Sequence, residues 1–498
     1  MNRRAWHWCA RITRPPSARA ELCVWLALIV AVVAIRVYLA HLVPFAIWSR
    51  DAGSYAQSAA RWLKSGDWET DPRRGPVYSL LIAACVKCLG HIDSVMAVQH
   101  VLGGIAVLLG IVVLRALWGR AALVPVALCG YAYAVYGLPV CMEHLVRNET
   151  LLFFFGTLAF AAWFFAIRRQ TAWMLVLSGI AGALVMLTKS VYAPFPLLVI
   201  AGCLVAGRQK WKQAAMFAAG FALPYLGVRA LNSATHSHRP PEPQSGILLY
   251  GRTAQFTQLD GGIEPDLKAA IRAEIEDYRR LPALNNNIIL KRTVVPHLKV
   301  ILQSRGETPA DLNKLCRRLA LEAIETHKPA YTKQVLRDCE RLLFYTCAKL
   351  KSPNDDDLAS LEKLLQRPEP EDSVIDAQST LNQVQALKGR HLFAKYHRWI
   401  YSAWLFRFAP VLLTSLLLPW LVWRERGELR VWWFGGAGVW YFTIVLLCTV
   451  GRPMDRYVIP ALPVMFWTLG STIAVAWQWL ARTSLARTEN SLHFPAPL

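Results

Sequence analysis

The chain has 498 residues, 55% of them hydrophobic, and a formal charge of +22. Its apolar share and positive mean hydropathy exclude a soluble globular protein, which must cover its core with polar surface. Lys and Arg fall in short runs between apolar segments, a topology signal; no basic stripe lies along a polar module, which excludes nucleic acid as a partner.

The first apolar segment, residues 22–43, follows Arg3, Arg4, Arg11, Arg14 and Arg19 and is long enough to span a bilayer. It reads as a signal anchor, because a cleavable signal peptide has a shorter apolar core and a small-residue cleavage site. Next, Ser49 to Trp68 predicts a short amphipathic helix at the interface. Tyr55, Ala59, Trp62 and Leu63 share its apolar face, and Gly66 is placed to end it. Asp51 stands at its start, where aspartate is a favoured helix cap and needs no catalytic role.

Residues 76–90 are apolar but short, open at Pro76 and carry Lys87. Further apolar runs cover residues 95–117, 121–140, 150–167, 171–187, 191–206, 213–231, 400–423, 431–450 and 457–480, which with the first segment make ten predicted crossings. Whether 76–90 also crosses decides the sidedness of everything after it, and charge arbitrates. If it does not cross, one side collects Arg115, Arg120, Arg168, Arg169, Arg208, Lys210, Lys212, Arg424, Arg426, Arg430, Arg482 and Arg487. The other side then holds only Arg147, Lys189, Arg452 and Arg456 in its short loops. The positive-inside rule therefore predicts a non-crossing helix at 76–90 and both termini in the cytoplasm of a plasma (inner) membrane.

The resulting organisation is a basic N-terminus (1–21), a membrane module (22–231) with a first outer loop (44–94), an extracytoplasmic insert (232–399), C-terminal spans (400–480) and a cytoplasmic tail (481–498). The insert opens with a Pro-rich linker containing His236 and His238, which lack metal-ligand partners at suitable spacing. Helical patterns follow near 265–280, 329–350 and 372–388. Thr308-Pro309-Ala310-Asp311 reads as a helix start with Thr as cap and Pro at the first helical position. Cys85 and Cys88 form a C-x-x-C within an apolar stretch and read as small buried hydrophobes.

Several motifs share the predicted outer side: Asp51 with Tyr55, Ser65-Gly66-Asp67-Trp68, Arg74-Gly75-Pro76, Asn148-Glu149-Thr150, and Thr188-Lys189. Arg229 and Asn232 followed by Gly246-Ile247-Leu248-Leu249-Tyr250-Gly251 come next, then Arg452, Arg456, Tyr457, Pro460 and Pro463. Together they resemble the C-type glycosyltransferase (GT-C) class, in particular the branch of protein O-mannosyltransferases and lipid A aminoarabinose transferases. The resemblance covers roughly residues 20–260 and 400–480 and does not explain the insert. It implies an all-α polytopic GT-C bundle of about ten transmembrane helices, with interfacial helices in the first outer loop and a mostly helical extracytoplasmic insert. It also implies that Asp51 is the catalytic acid of the first loop and Glu149 the second acidic position. Tyr55, Arg74, Lys189, Arg229, Arg452, Arg456 and Tyr457 are then candidates for substrate binding.

Sugar transfer from a polyprenyl-phosphate donor needs a base for the acceptor hydroxyl and cations for the departing phosphate. A positioned carboxylate contributes ~10² to 10⁴ in rate, and Asp51 could supply it. Lys189, Arg452 and Arg456, at outer helix ends, suit the phosphate, although such residues also serve as ordinary snorkelling anchors. The expected partners are a polyprenyl-phosphate-linked sugar, membrane lipid, and a glycan, lipid or protein acceptor. No cofactor is assigned, and the sequence leaves open whether Asp51 and Glu149 share a divalent ion such as Mg or Mn. The alternative is a transporter or flippase of lipid-linked sugars, but no inverted repeat is visible.

Overall fold

The computed structural model describes residues 17–42, 44–46, 52–66, 75–120, 123–134, 137–189, 192, 195–206, 209–235, 245–280 and 294–344, with six further positions between 467 and 477. The predicted spans 400–423 and 431–450, most of 457–480, and the predicted helix at 372–388 lie outside the described residues, as do His236 and His238. The chain divides into two compact units. One holds Met1–Thr235 with C-terminal stretches, the other His236–Cys347 with a short later segment.

The first unit is built of helices: α1 (Ala18–Leu42), α2 (Ala52–Ser65), α3 (Pro76–Leu89), α4 (Ser94–Trp118), α5 (Leu123–Ala134), α6 (Gly137–His144), α7 (Glu149–Arg169), α8 (Ala172–Thr188), α9 (Phe195–Ala206) and α10 (Lys210–Thr235). Of these, α1, α4, α7 and α10 are long and apolar enough to cross a bilayer. At ~1.5 Å per residue they exceed the ~30 Å hydrocarbon thickness. The apolar side chains of Leu26, Val30, Trp211, Leu223 and Leu226 point outward and are exposed. In water such a surface would aggregate; in lipid it is the ordinary outside of a spanning helix. The protein is thus an all-α integral membrane protein.

Close packing inside the unit depends on small residues. A Cβ on Gly179 of α8 would fall 2.1 Å from the Phe217 carbonyl oxygen of α10, and one on Gly220 would fall 2.2 Å from that of Val176. The two backbones touch, the usual way in which membrane helices gain contact area without a hydrophobic driving force.

Hydrogen bonds at the helix ends sort them onto two faces. The Ala46 backbone N–H, just after α1, donates to Asp93 Oδ1 just before α4 (2.8 Å), so the first loop returns to the face it left. Helix α3 therefore makes no net crossing, as the charge pattern predicts. Its 14 residues reach only ~21 Å; Pro76 opens it, and Gly90, with φ 76°, closes it in the left-handed conformation. On the opposite face Glu21 of α1 accepts hydrogen bonds from Arg115 Nε of α4 (2.8 Å) and from Arg120 Nε (2.6 Å). There too Arg168 of α7 reaches the Ala116 carbonyl, and Gln213 of α10 donates to Gln170 (3.3 Å).

Within the predicted span 121–140 the described residues form α5 and the start of α6; residues 121, 122, 135 and 136 lie outside the described residues. The C-x-x-C is only half as expected: Cys85 is buried, Cys88 is exposed, and both are free thiols.

In the second unit α11 (Ser245–Thr253) leads through a short 3-10 turn (Ala254–Phe256) to α12 (Pro265–Ala270), α13 (Arg272–Arg280), α14 (Val294–Ser304), α15 (Pro309–Thr326) and α16 (Lys328–Phe344). Its core includes Tyr250, Ile271, Leu298, Leu315, Cys316 and Leu319, and burial pushes the Cys316 thiol up to about 12. Helix α15 starts at the predicted Thr308 cap, where Thr308 and Asp311 form a capping box. The Gly246–Gly251 motif is explained by packing. Gly246 donates its N–H to Asn313 Oδ1 (2.8 Å), and a Cβ there would fall 2.1 Å from the Asn313 carbonyl oxygen. Helix α11 lies directly on α15, and Tyr250 fills the space beneath.

Candidate functional site

The sequence holds only two acids between residues 94 and 231, Glu143 and Glu149, and both are buried on the side of the first loop. Glu149 begins α7. Its Oε1 lies 3.5 Å from Nζ of Lys189, which follows the last residue of α8; the side chains are 2% and 20% exposed. Asn148 joins the same two helix ends by donating from Nδ2 to the Thr188 carbonyl oxygen (3.0 Å).

The first loop seats on these ends through Gly75. A Cβ there would fall 1.8 Å from the Leu187 carbonyl oxygen and 2.8 Å from that of Thr188, so only glycine allows the backbone before α3 to lie against the end of α8. From α3, Tyr78 lies against the Arg147 backbone N–H and within electrostatic reach of Tyr55 and Glu149. Tyr55 of α2 meets the Tyr78 ring edge to face, with centroids 4.9 Å apart. Helix α2 buries Tyr55 and Ala59 as its periodicity predicts, whereas Trp62 is 36% exposed.

A second polar cluster lies deeper. Arg36 of α1 donates from Nη2 to Glu143 Oε1 (2.7 Å), and His100 Nδ1 of α4 is 2.6 Å from Oε2. Arg36 and His100 each lie six residues inside their helix ends at the first-loop face, ~9 Å down at the helical rise. Gly103 and Gly104 make the space: a Cβ on Gly103 would fall 1.9 Å from Glu143 Oε1, and Gly104 faces Val32 and Arg36. Gln99 links the two levels. It donates to the carbonyl oxygens of Glu143 (2.8 Å) and Leu145 (2.9 Å) and accepts from the Tyr78 hydroxyl (3.1 Å).

The structure thus brings Tyr55, Glu149 and Lys189 onto one face. Arg229 is exposed on α10 and takes no part in these buried contacts. Asp51, Arg74, Arg452, Arg456 and Tyr457 lie outside the described residues; in sequence Asp51 directly precedes the first residue of α2. Sequence reasoning passed over Glu143, His100, Gln99 and Tyr78, and counted Arg147 only as a loop charge. A signal for Glu143 existed: Arg36 sits within a spanning segment, where a charge needs a partner, and few acids were available. Among the described residues no group of three His, Cys, Asp or Glu side chains is arranged to hold a metal ion.

Chemically, the site presents a carboxylate paired with a partly exposed ammonium at the rim of the membrane, with two tyrosines beside it. No family model and no curated protein matches the chain. Solved structures it is similar to include ArnT from Cupriavidus metallidurans bound to undecaprenyl phosphate, at 15% identity and a TM-score of 0.35, over 95% of this chain and 79% of that one. The same protein in the apo state gives 14% identity and a TM-score of 0.33, over 90% and 78%. Likeness at that level carries no argument about chemistry.

Proposed function

We propose that the protein is an inverting glycosyltransferase that moves a sugar from a polyprenyl-phosphate donor to an acceptor hydroxyl on the extracytoplasmic face. The supporting observation is the Glu149–Lys189 pair seated directly under the first loop that carries Asp51. The acceptor oxygen attacks the anomeric carbon and loses its proton to Asp51. The bond from that carbon to the phosphate oxygen breaks, and polyprenyl phosphate leaves. Lys189 adds positive charge on the side of the departing phosphate, in a zone with little competing water, and Glu149 holds it there. The face rich in Arg115, Arg120, Arg168 and Arg169 is the cytoplasmic one by the positive-inside rule, which places this site and the insert outside.

Asp51→Asn is the decisive variant, because Asn caps a helix as well as Asp but cannot take the proton. The purified variant should keep the wild-type melting temperature and lose sugar transfer in extracts supplied with lipid-linked sugars. Full transfer by the variant would remove Asp51 from the mechanism. Movement of intact lipid-linked sugar across reconstituted vesicles, without bond cleavage, would favour a transporter instead.

A further inference from the structure

Arg147 lies between Glu143 and Glu149 in the chain yet is paired with neither. Its backbone N–H donates to the Leu145 carbonyl oxygen (2.7 Å) and lies against the Tyr78 phenol. The side chain is only partly exposed, and its Nε is buried with no hydrogen-bond partner. Among the described residues its guanidinium meets no carboxylate. Four other cations of this unit do have carboxylate partners: Lys189 has Glu149, Arg36 has Glu143, and Arg115 and Arg120 share Glu21. A half-buried guanidinium without a counter-charge loses hydration and gains nothing in return unless an anion arrives.

The position suits one kind of anion. Arg147 stands two residues before the 21-residue α7, whose N-terminal amides add positive potential. Glu149 is already balanced by Lys189, so the three side chains together carry one net positive charge. A guanidinium presents a planar fork that grips a phosphate through two parallel hydrogen bonds. The depth, at the rim of the bilayer beside the first loop, admits a phosphate whose tail stays in lipid.

We propose that Arg147 binds the phosphate of an isoprenoid lipid, and that it rather than Lys189 makes the main contact. The inference rests on the proposed transfer from a polyprenyl phosphate and adds the residue that holds the leaving group. A phospholipid headgroup offers similar chemistry, so the test must separate the two.

The full-length protein in a neutral detergent is treated with phenylglyoxal, and modification of Arg147 is read by mass spectrometry. Farnesyl phosphate should protect Arg147, while farnesol and phosphatidylglycerol at the same concentration should not. Equal protection by phosphatidylglycerol would overturn the isoprenoid assignment, and no protection by farnesyl phosphate would overturn the site. As a second measurement, Arg147→Gln should weaken farnesyl phosphate binding ~10-fold to 100-fold, as loss of a charged hydrogen bond does; Arg147→Lys should fall between. Unchanged affinity in Arg147→Gln also sinks the proposal. The outcomes are separable: retained transfer by Asp51→Asn removes the proposed mechanism even if Arg147 is protected, whereas an unprotected Arg147 with a transfer-dead Asp51→Asn removes this inference alone.

Discussion

Arg36 and Glu143 meet at 2.7 Å with side chains 6% and 1% exposed, joining α1 to the end of α6 within the membrane unit. Removing one partner strands the other charge. Glu143→Leu should therefore destabilise the detergent-solubilised protein by ~3–5 kcal/mol. The Arg36→Met, Glu143→Leu double variant should recover the part of that loss due to the stranded guanidinium, while the loss of the His100 contact to Glu143 remains. Thermal unfolding of the four members of the cycle measures the coupling; additive losses would show that the pair does not act as a unit.

Gly75→Ala tests the seat of the first loop. The new methyl group would collide with the Leu187 carbonyl, and since backbone is on the other side of the contact, the segment before α3 must move. The expected result is faster proteolysis between residues 44 and 94 together with at least a 10-fold loss of sugar transfer, since misplacement by ~1 Å costs about that much or more. Unchanged proteolysis and transfer would mean that the close approach has no consequence for activity.

The capping box of α15 should respond to acid in a defined direction. The Thr308 hydroxyl, then its backbone N–H and Lys314, hold the Asp311 carboxyl below its usual value of 3.8. A group whose folded value is depressed stabilises the fold above its unfolded value and loses that contribution as pH falls through the folded one. The stability difference between wild type and Asp311→Asn should accordingly be present at neutral pH and shrink below about pH 3.8. Thr308→Ala should cost about 1 kcal/mol at neutral pH. Melting curves across that range check both.

Elements whose signal is local were legible in the sequence. The Thr308 cap, the helix end at Gly66, and the long apolar α1, α4 and α7 follow from residues within a few positions of one another. The non-crossing α3 needed a chain-wide charge count, and the Ala46–Asp93 hydrogen bond agrees with it. What stayed hidden depends on contacts between distant segments. Arg36 and Glu143 are 107 positions apart, and Gly75 reads as ordinary loop glycine until the end of α8 lies beneath it. Gln99 and Tyr78 carry no motif; their roles appear only when α3, α4 and α6 pack. Spacing gives Lys189 as a cation for phosphate but not the Glu149 carboxylate, distant in the chain, that lies beside it.

The hydrogen bond from Ala46 to Asp93 joins two residues 47 positions apart, so the intervening chain departs and re-enters at a single point of the scaffold. Such a segment is modular: its length and contents can change without reversing the direction of any later helix. Insertions or deletions between the seated residues Tyr55, Gly75 and Tyr78 would therefore leave the course of every later helix, and the buried charge pairs below, unchanged.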